Sequence, residues 1–281
     1  MDYRGKVVVV TGASSGIGYE TARAFARRGA RVVGVARREA LLAKLVEECR
    51  PHSPESTYLA GDLGERPFAE RVVTETADRF GRLDVLVNNA AISKHKHIFH
   101  TSADEAEHVM RVNFLSALWT TLAALPPMLA AGGGFIVNVS SFAAKVAPPR
   151  ESVYAASKAA LNAFTAGLWN DLAGSGIHVA VVNPGPIDTE IWEKEDEPVA
   201  YHGRKYPPSV VTDAIFEAIE RRRFELTAPK RDLQLVSASL LRHLLPGALR
   251  AGMARMDPVP AEVLERARER ARQRWPRSPK S

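Results

Sequence analysis

The stretch Thr11-Gly12-Ala13-Ser14-Ser15-Gly16-Ile17-Gly18 restricts the fold of this chain more than any other. It follows Lys6–Val10, a Val-rich run of strand character, and leads into Gly16–Arg28, a helical pattern closed by Gly29. A dinucleotide needs its pyrophosphate close to backbone N–H groups, so side chains must be absent there. A helix N-terminus adds free N–H groups and the positive end of the dipole. The spacing is Gly-x-x-x-Gly-x-Gly rather than the commoner Gly-x-Gly-x-x-Gly, and no Lys-Ser/Thr pair follows, which argues against an NTP-binding P-loop. Taken alone, the glycines also suit a tight turn without a ligand. Their place after the first strand of an alternating chain favours the ligand.

The alternation continues. Arg31–Ala36, Ser56–Ala60, Leu83–Val87, Gly134–Val139, Ile177–Val182 and Phe224–Thr227 have strand character. Between them lie the helical stretches Glu39–Cys49, Glu65–Phe80 with Gly81 beyond it, Ser102–Ala131, Ser152–Ala173 and Ser209–Arg223. Pro126-Pro127 is expected to break the long one. The pattern predicts an α/β fold: a doubly wound parallel sheet of Rossmann type, as a single domain spanning 1–229, with a C-terminal helical extension over 230–281. Asp188–Pro208 is charged and Pro-containing and reads as a flap.

Just under half of the 281 residues are apolar, enough for a core, and no apolar run approaches the ~20 residues that span a bilayer. The N-terminus has no signal-peptide pattern, and the one cysteine, Cys49, cannot form an intrachain disulfide. Cytoplasmic placement is the expectation. The formal charge of +6 belongs to one end: Lys230–Ser281 holds twelve Lys/Arg against five Asp/Glu. Such a tail can touch anionic lipid or nucleic acid, but a solvated basic helix is the ordinary outcome. No nucleic-acid partner is expected; peripheral membrane contact through the extension stays open. Leu233, Val236, Leu240, Leu241 and Leu244 make an apolar stripe there. The stripe packs on the body or lies in a lipid interface, and packing is the preferred reading.

Tyr154-Ala155-Ala156-Ser157-Lys158 falls in a helical stretch, where positions i and i+4 share a face. A cation about 6 Å from a phenol, at an effective dielectric of ~20, contributes roughly 3 kcal/mol, or about 2 pKa units, enough to bring the phenol into a useful range for proton transfer. Taken alone, the pair suits an ordinary helix surface. Gly134–Val139, however, ends in Ser140-Ser141, where a parallel sheet presents side chains to a ligand.

With these motifs the chain resembles the short-chain dehydrogenase/reductase family, in its single-domain NAD(P)(H)-dependent branch, from Lys6 to about Thr227. The motifs run in order: the glycine turn, Asp62, Asn88-Asn89-Ala90, Asn113, Ser141, Tyr154-x-x-x-Lys158, and Pro184-Gly185 with Thr189. The resemblance implies hydride transfer between a nicotinamide cofactor and a carbonyl or alcohol. It implies Tyr154 as acid or base, Lys158 tuning it and holding the ribose, and Ser141 (rather than Ser140) orienting the substrate oxygen. It implies Asn113 anchoring a relay water. For the cofactor it implies Thr11, Gly12, Ser14, Ser15, Gly16, Ile17 and Gly18 at the phosphates, and Asp62 with Leu63 near the adenine. Asn89, Ala90, Pro184, Gly185, Ile187 and Thr189 would surround the nicotinamide half. Ala91 departs from the glycine usual after Asn-Asn-Ala. A homodimer or homotetramer through Ser102–Ala131 and Ser152–Ala173 is implied as well.

Strand two ends in Ala36-Arg37-Arg38, where an acid would bond the ribose hydroxyls and repel a 2′-phosphate. Guanidinium forks suit that phosphate, so NADP(H) is favoured over NAD(H) through Arg37 and Arg38. The expected substrate is a hydrophobic ketone or alcohol, steroid- or lipid-like. A ketoacyl thioester is the alternative, and a non-catalytic NADPH-binding sensor or scaffold the reading from another class; joint retention of Asn113, Ser141, Tyr154 and Lys158 favours catalysis. His95, His97 and His100 are interrupted by Lys96 and lack converging carboxylates or thiolates in sequence, so no metal is expected; they suit a loop near the substrate mouth. Cys49, Trp119 and Trp169 read as packing residues, and Trp192 in the flap as a candidate for substrate contact.

Overall fold

A computed structural model describes residues 1–194, 197 and 203–275. Seven parallel strands form one sheet: β1 Val7–Thr11, β2 Arg31–Ala36, β3 Thr57–Ala60, β4 Val85–Asn88, β5 Gly134–Val139, β6 Ile177–Pro184 and β7 Glu225–Ala228. Their order is β3-β2-β1-β4-β5-β6-β7, so winding reverses between β1 and β4. A crevice opens beyond the carboxyl ends of the strands at such a reversal.

Helices cover both faces, which is why the central strands are largely apolar. Every residue of β1 is buried. Val8 and Val10 point to one face, under α1 (Gly16–Ala26), α2 (Glu39–Cys49) and α8 (Ser209–Glu220), where Phe25, Leu42, Leu45 and Ile215 pack. Val7 and Val9 point to the other, under α3 (Arg66–Phe80), α5 (Ser116–Ala130) and α7 (Ser152–Asp171), with Val72, Met128 and Leu168. Gly81 closes α3 in the left-handed region at φ 69°, as its position after the helical pattern predicts.

The long helical region differs from expectation. Pro126 and Pro127 lie inside α5 without ending it. Their missing N–H groups leave the carbonyls of Leu122 and Ala123 without helical donors, on a turn where Leu122 is exposed and water can serve instead. The irregularity comes earlier, as a π-helical turn at Arg111–Leu115 between α4 (Ala103–Met110) and α5. Taken as one, Ala103–Ala130 is long and apolar enough to cross a membrane by length and composition, and 44% of its apolar 18-residue stretch is buried inside the fold.

A short α6 (Ala143–Val146) follows Ser141. The extension forms α9 (Leu233–Leu244), α10 (Pro246–Met256) and α11 (Ala261–Arg274). The preferred packing of its leucine stripe is overturned. In α9 only Leu235 is buried, while Leu233, Val236, Leu240, Leu241 and Leu244 are exposed. Leu235 lies on the opposite side of the helix from the stripe. Trp169 is likewise not a core residue: it is 56% exposed at the end of α7. Cys49 is buried, and Trp119 is partly buried against the core.

Candidate active site

Thr11 ties the two halves of the crevice together. Its Oγ1 accepts from the backbone N–H of Asn89 and of Ala90 at 2.9 and 3.0 Å, and the Asn89 side chain donates back to the Thr11 carbonyl at 2.9 Å. Gly12 and Gly16 have φ of 68° and 56°. A Cβ on Gly18 would stand 2.3 Å from the Gly12 carbonyl oxygen, and one on Gly12 would stand 2.8 Å from Asn89 Nδ2. The glycines therefore serve the protein's own packing as well as ligand approach. At the head of α1, Ser15 caps no N–H with its side chain.

At the end of β2, Arg37 is exposed and Arg38 turns inward. Arg38 donates to Ser14 Oγ at 3.1 Å, Ser15 Oγ at 2.7 Å and Glu190 Oε2 at 2.8 Å. Its guanidinium thus stands against the glycine turn, joined to the flap by a partly exposed ion pair worth about 0–1 kcal/mol. Glu190 is a partner that the sequence pattern did not single out. Asp62 accepts from Gly64 N through Oδ1 at 2.8 Å, and Leu63 is buried beside it.

The four residues expected to carry chemistry gather at the carboxyl ends of β4, β5 and β6. Asn113 sits on the π turn and is buried. Its side chain pairs with both backbone groups of Ile92, at 2.8 and 3.0 Å, and donates to Ser157 Oγ at 3.1 Å. Ser157 donates in turn to the Tyr154 carbonyl at 2.7 Å. Tyr154 is half-buried on the first turn of α7. Lys158, one turn on, is 2% exposed and donates to the Val139 carbonyl at 2.9 Å. Burial pushes its ammonium down to about 7, so a charged lysine near neutral pH needs further acceptors. Ser140 is buried and spends its hydroxyl on the Lys158 carbonyl at 3.0 Å, whereas Ser141 is half-buried and its Oγ accepts from Ala143 N at 3.1 Å. That leaves the Ser141 hydroxyl hydrogen for a substrate.

The 184–189 loop lies against both the turn and α9. A Cβ on Gly16 would stand 2.9 Å from Thr189 Cγ2, and one on Gly185 would stand 2.7 Å from Leu235 Cδ1. Pro184 ends β6 and accepts from Phe142 N at 2.7 Å, and Ile187 is buried and bridges to Tyr206. Trp192 donates to the Ile187 carbonyl at 2.6 Å and stacks under Lys205, so it braces the flap internally. The rest of the flap, at 195, 196 and 198–202, lies outside the described residues.

Two polar clusters escaped the sequence pattern. Asn88 and Asn138 face each other in register across β4 and β5 and bond at 2.9 Å, and Asn138 donates to Thr165 at 2.8 Å. This buried ladder fixes α7 on the sheet. The second cluster surrounds the loop histidines. Glu197 of the flap bonds His100 Nδ1 at 2.8 Å and the His97 N–H at 3.3 Å, and it faces Arg150 at 3.5 Å. Arg150 also pairs with Asp257 at 2.6 Å. Burial and the Arg150 charge lower the His97 pKa. Burial opposes ionisation of Glu197, but its hydrogen bonds from His100 and His97 hold the carboxyl below its usual range. His95 is buried with neither ring nitrogen hydrogen-bonded. Among the described residues no three His, Cys, Asp or Glu side chains converge on a metal position. A cavity of about 410 Å³ beside Trp169, His178 and Arg222 opens at the amino ends of β5 and β6, away from this site.

The crevice fits a dinucleotide. Its turn lacks side chains where backbone N–H groups converge, the helix head is uncapped by side chains, and a guanidinium stands beside it. The family model of the short chain dehydrogenases matches residues 6–200, and the chain belongs to that family. It is an NAD(P)-dependent oxidoreductase. The 11-beta-hydroxysteroid dehydrogenase 1A of Arabidopsis thaliana is 41% identical over 190 residues, 66% of this chain and 54% of that one; the chain spans about half of that relative's length. A short chain dehydrogenase/reductase from Burkholderia phymatum in complex with NAD has a TM-score of 0.80 at 25% identity, covering 92% of this chain and 99% of that one. An alcohol dehydrogenase from Thermococcus sibiricus complexed with 5-hydroxy-NADP has a TM-score of 0.71 at 25% identity, covering 81% and 97%.

Proposed function

We propose that the enzyme moves a hydride between NADP(H) and the carbonyl or alcohol of an apolar substrate, with Tyr154 transferring the proton. The observation that carries this reading is the placement of Asn113, Ser141, Tyr154 and Lys158 about the carboxyl ends of β4 and β5. The cofactor, when bound, supplies or accepts the hydride. The Ser141 hydroxyl donates to the substrate oxygen and holds it against the Tyr154 phenol. Tyr154 protonates that oxygen in reduction and deprotonates it in oxidation. The Lys158 ammonium stabilises the phenolate from the next helical turn. Asn113 sets the position of α7 through Ser157 and holds the relay water.

Gly12, Gly16 and Gly18 with the N-terminus of α1 hold the pyrophosphate, Asp62 and Leu63 the adenine, and Asn89, Ala90 and the 184–189 loop the nicotinamide half. Arg38, beside the turn, and Arg37, at its rim, take the 2′-phosphate. An apolar substrate is supported by the steroid-acting name of the Arabidopsis relative and by α9, which lays Leu235 on Gly185. We propose a homodimer or homotetramer through α5 and α7, where Leu122, Leu129 and Trp169 are exposed.

The test is Tyr154→Phe. It should retain NADPH affinity by fluorescence titration and lose ~100-fold or more of turnover, as expected when a general acid is removed. Near-normal turnover overturns the assignment. A panel of steroids, retinoids, sugars and ketoacyl thioesters, read by NADPH oxidation, identifies the substrate class.

A further inference from the structure

We propose that the C-terminal helices dock this enzyme on an anionic lipid surface, with the apolar stripe of α9 entering the interface. At about 100° per residue, Leu233, Val236, Leu240 and Leu244 fall within an arc of about 80°, and Leu235 lies roughly opposite. Leu235 is the side chain that packs on the body; Leu233 and Leu244 are 83% and 74% exposed. The stripe therefore faces outward because the helix is anchored by its other side. Asp232 caps α9 through Leu235 N and accepts the Tyr206 hydroxyl at 2.6 Å.

Charge supports lipid as the occupant. Between 230 and 275 there are ten Lys/Arg and five Asp/Glu. Two of these acids and one of the bases are turned to the body, Asp232 on Tyr206, Asp257 on Arg150 and Lys230 on Glu217. Arg231, Arg242, Arg250 and Arg255 stay exposed. Exposed leucines on a helix of an extension with a net positive charge are what an anionic interface rewards, because apolar burial and electrostatic attraction add. The anchoring points also place this surface by the substrate edge: Leu235 meets Gly185, and Arg150 lies four residues before Tyr154. Exposed Ile98 and Phe99 adjoin the same cluster through His97 and His100. A docked enzyme would receive apolar substrates from the bilayer, a consequence that rests on the function proposed above; the docking itself does not.

The experiment is vesicle flotation of the full chain with phosphatidylcholine alone and with phosphatidylcholine mixed with phosphatidylglycerol, at low and physiological salt. The wild type should float with the anionic vesicles, less at higher salt. The triple variant Leu233→Ser, Leu240→Ser, Leu244→Ser should weaken that binding by at least ~10-fold, since interfacial affinity scales with buried apolar area. Its thermal stability should not change, because these side chains are exposed. Three results overturn the proposal: no flotation of the wild type; equal flotation of the variant; or loss of a dimer or tetramer in the variant without wild-type flotation, which would assign the stripe to a second copy. DNA-duplex binding that blocks flotation and survives in the variant would assign the arginines to nucleic acid instead.

Discussion

Lys158 is the buried cation of the proposed site. Its folded-state pKa of about 7 lies below the ordinary 10.5 because its ammonium is buried. Between those values the unfolded chain binds a proton that the folded chain lacks. This group's contribution to stability therefore rises with pH from about 7 upward and is absent below. The melting temperature of the cofactor-free wild type minus that of Lys158→Met should climb between pH 7 and 10; a flat difference would mean that the lysine keeps its charge. The arginines act at the same scale. Arg37→Asp and Arg38→Asp should each shift the kcat/KM ratio toward NADH by at least ~10-fold, since a charge-assisted phosphate contact becomes a repulsion. Unchanged preference in both would remove the pair as the discriminator. Arg37 and Arg38 are adjacent and chemically equal in sequence. Only the fold separates them, because the turn from β2 into α2 leaves Arg37 exposed and carries Arg38 to Ser14 and Ser15.

Among the elements, β1 and β4 pair along the sheet, and beyond their ladder the Thr11 hydroxyl ties the turns that follow them at the point where winding reverses. Thr11→Val keeps the shape but leaves the Asn89 and Ala90 N–H groups without their acceptor. It should cost roughly 1–3 kcal/mol for each unmet group. Urea unfolding and NADPH titration should both register the loss, and Thr11→Ser should restore most of it. Equal stability of Thr11→Val and wild type would mean that water replaces the hydroxyl. The glycine turn, the Tyr-Lys spacing and the Asn-Asn-Ala segment were legible because each is local: the chemistry needs those residue types a few positions apart. The Asn88–Asn138–Thr165 ladder and the Glu197 cluster were not, because their members lie 27 to 100 residues apart. No periodicity connects residues that only strand register or a folded-back loop brings together.

For the whole molecule, the exposed side of α5 and α7 bears on assembly. Leu122→Glu with Leu129→Glu should reduce the mass measured by light scattering at micromolar concentration from a dimer or tetramer to a monomer, because a charge would be buried in an apolar interface. A monomeric wild type would refute the proposed assembly. At this scale the amino-acid sequence by itself determined the parallel sheet and its core, since continuous Val runs between amphipathic stretches can be buried on both faces in few other ways. It also pointed to the cofactor class, through glycines placed between the first strand and the first helix, where a dinucleotide's pyrophosphate can approach the backbone. Tertiary structure decided which side of α9 is buried. Helical periodicity shows that a face exists, but not whether the fold offers a surface to receive it. Here Gly185 accepts Leu235, and the leucine stripe is left to the solvent side.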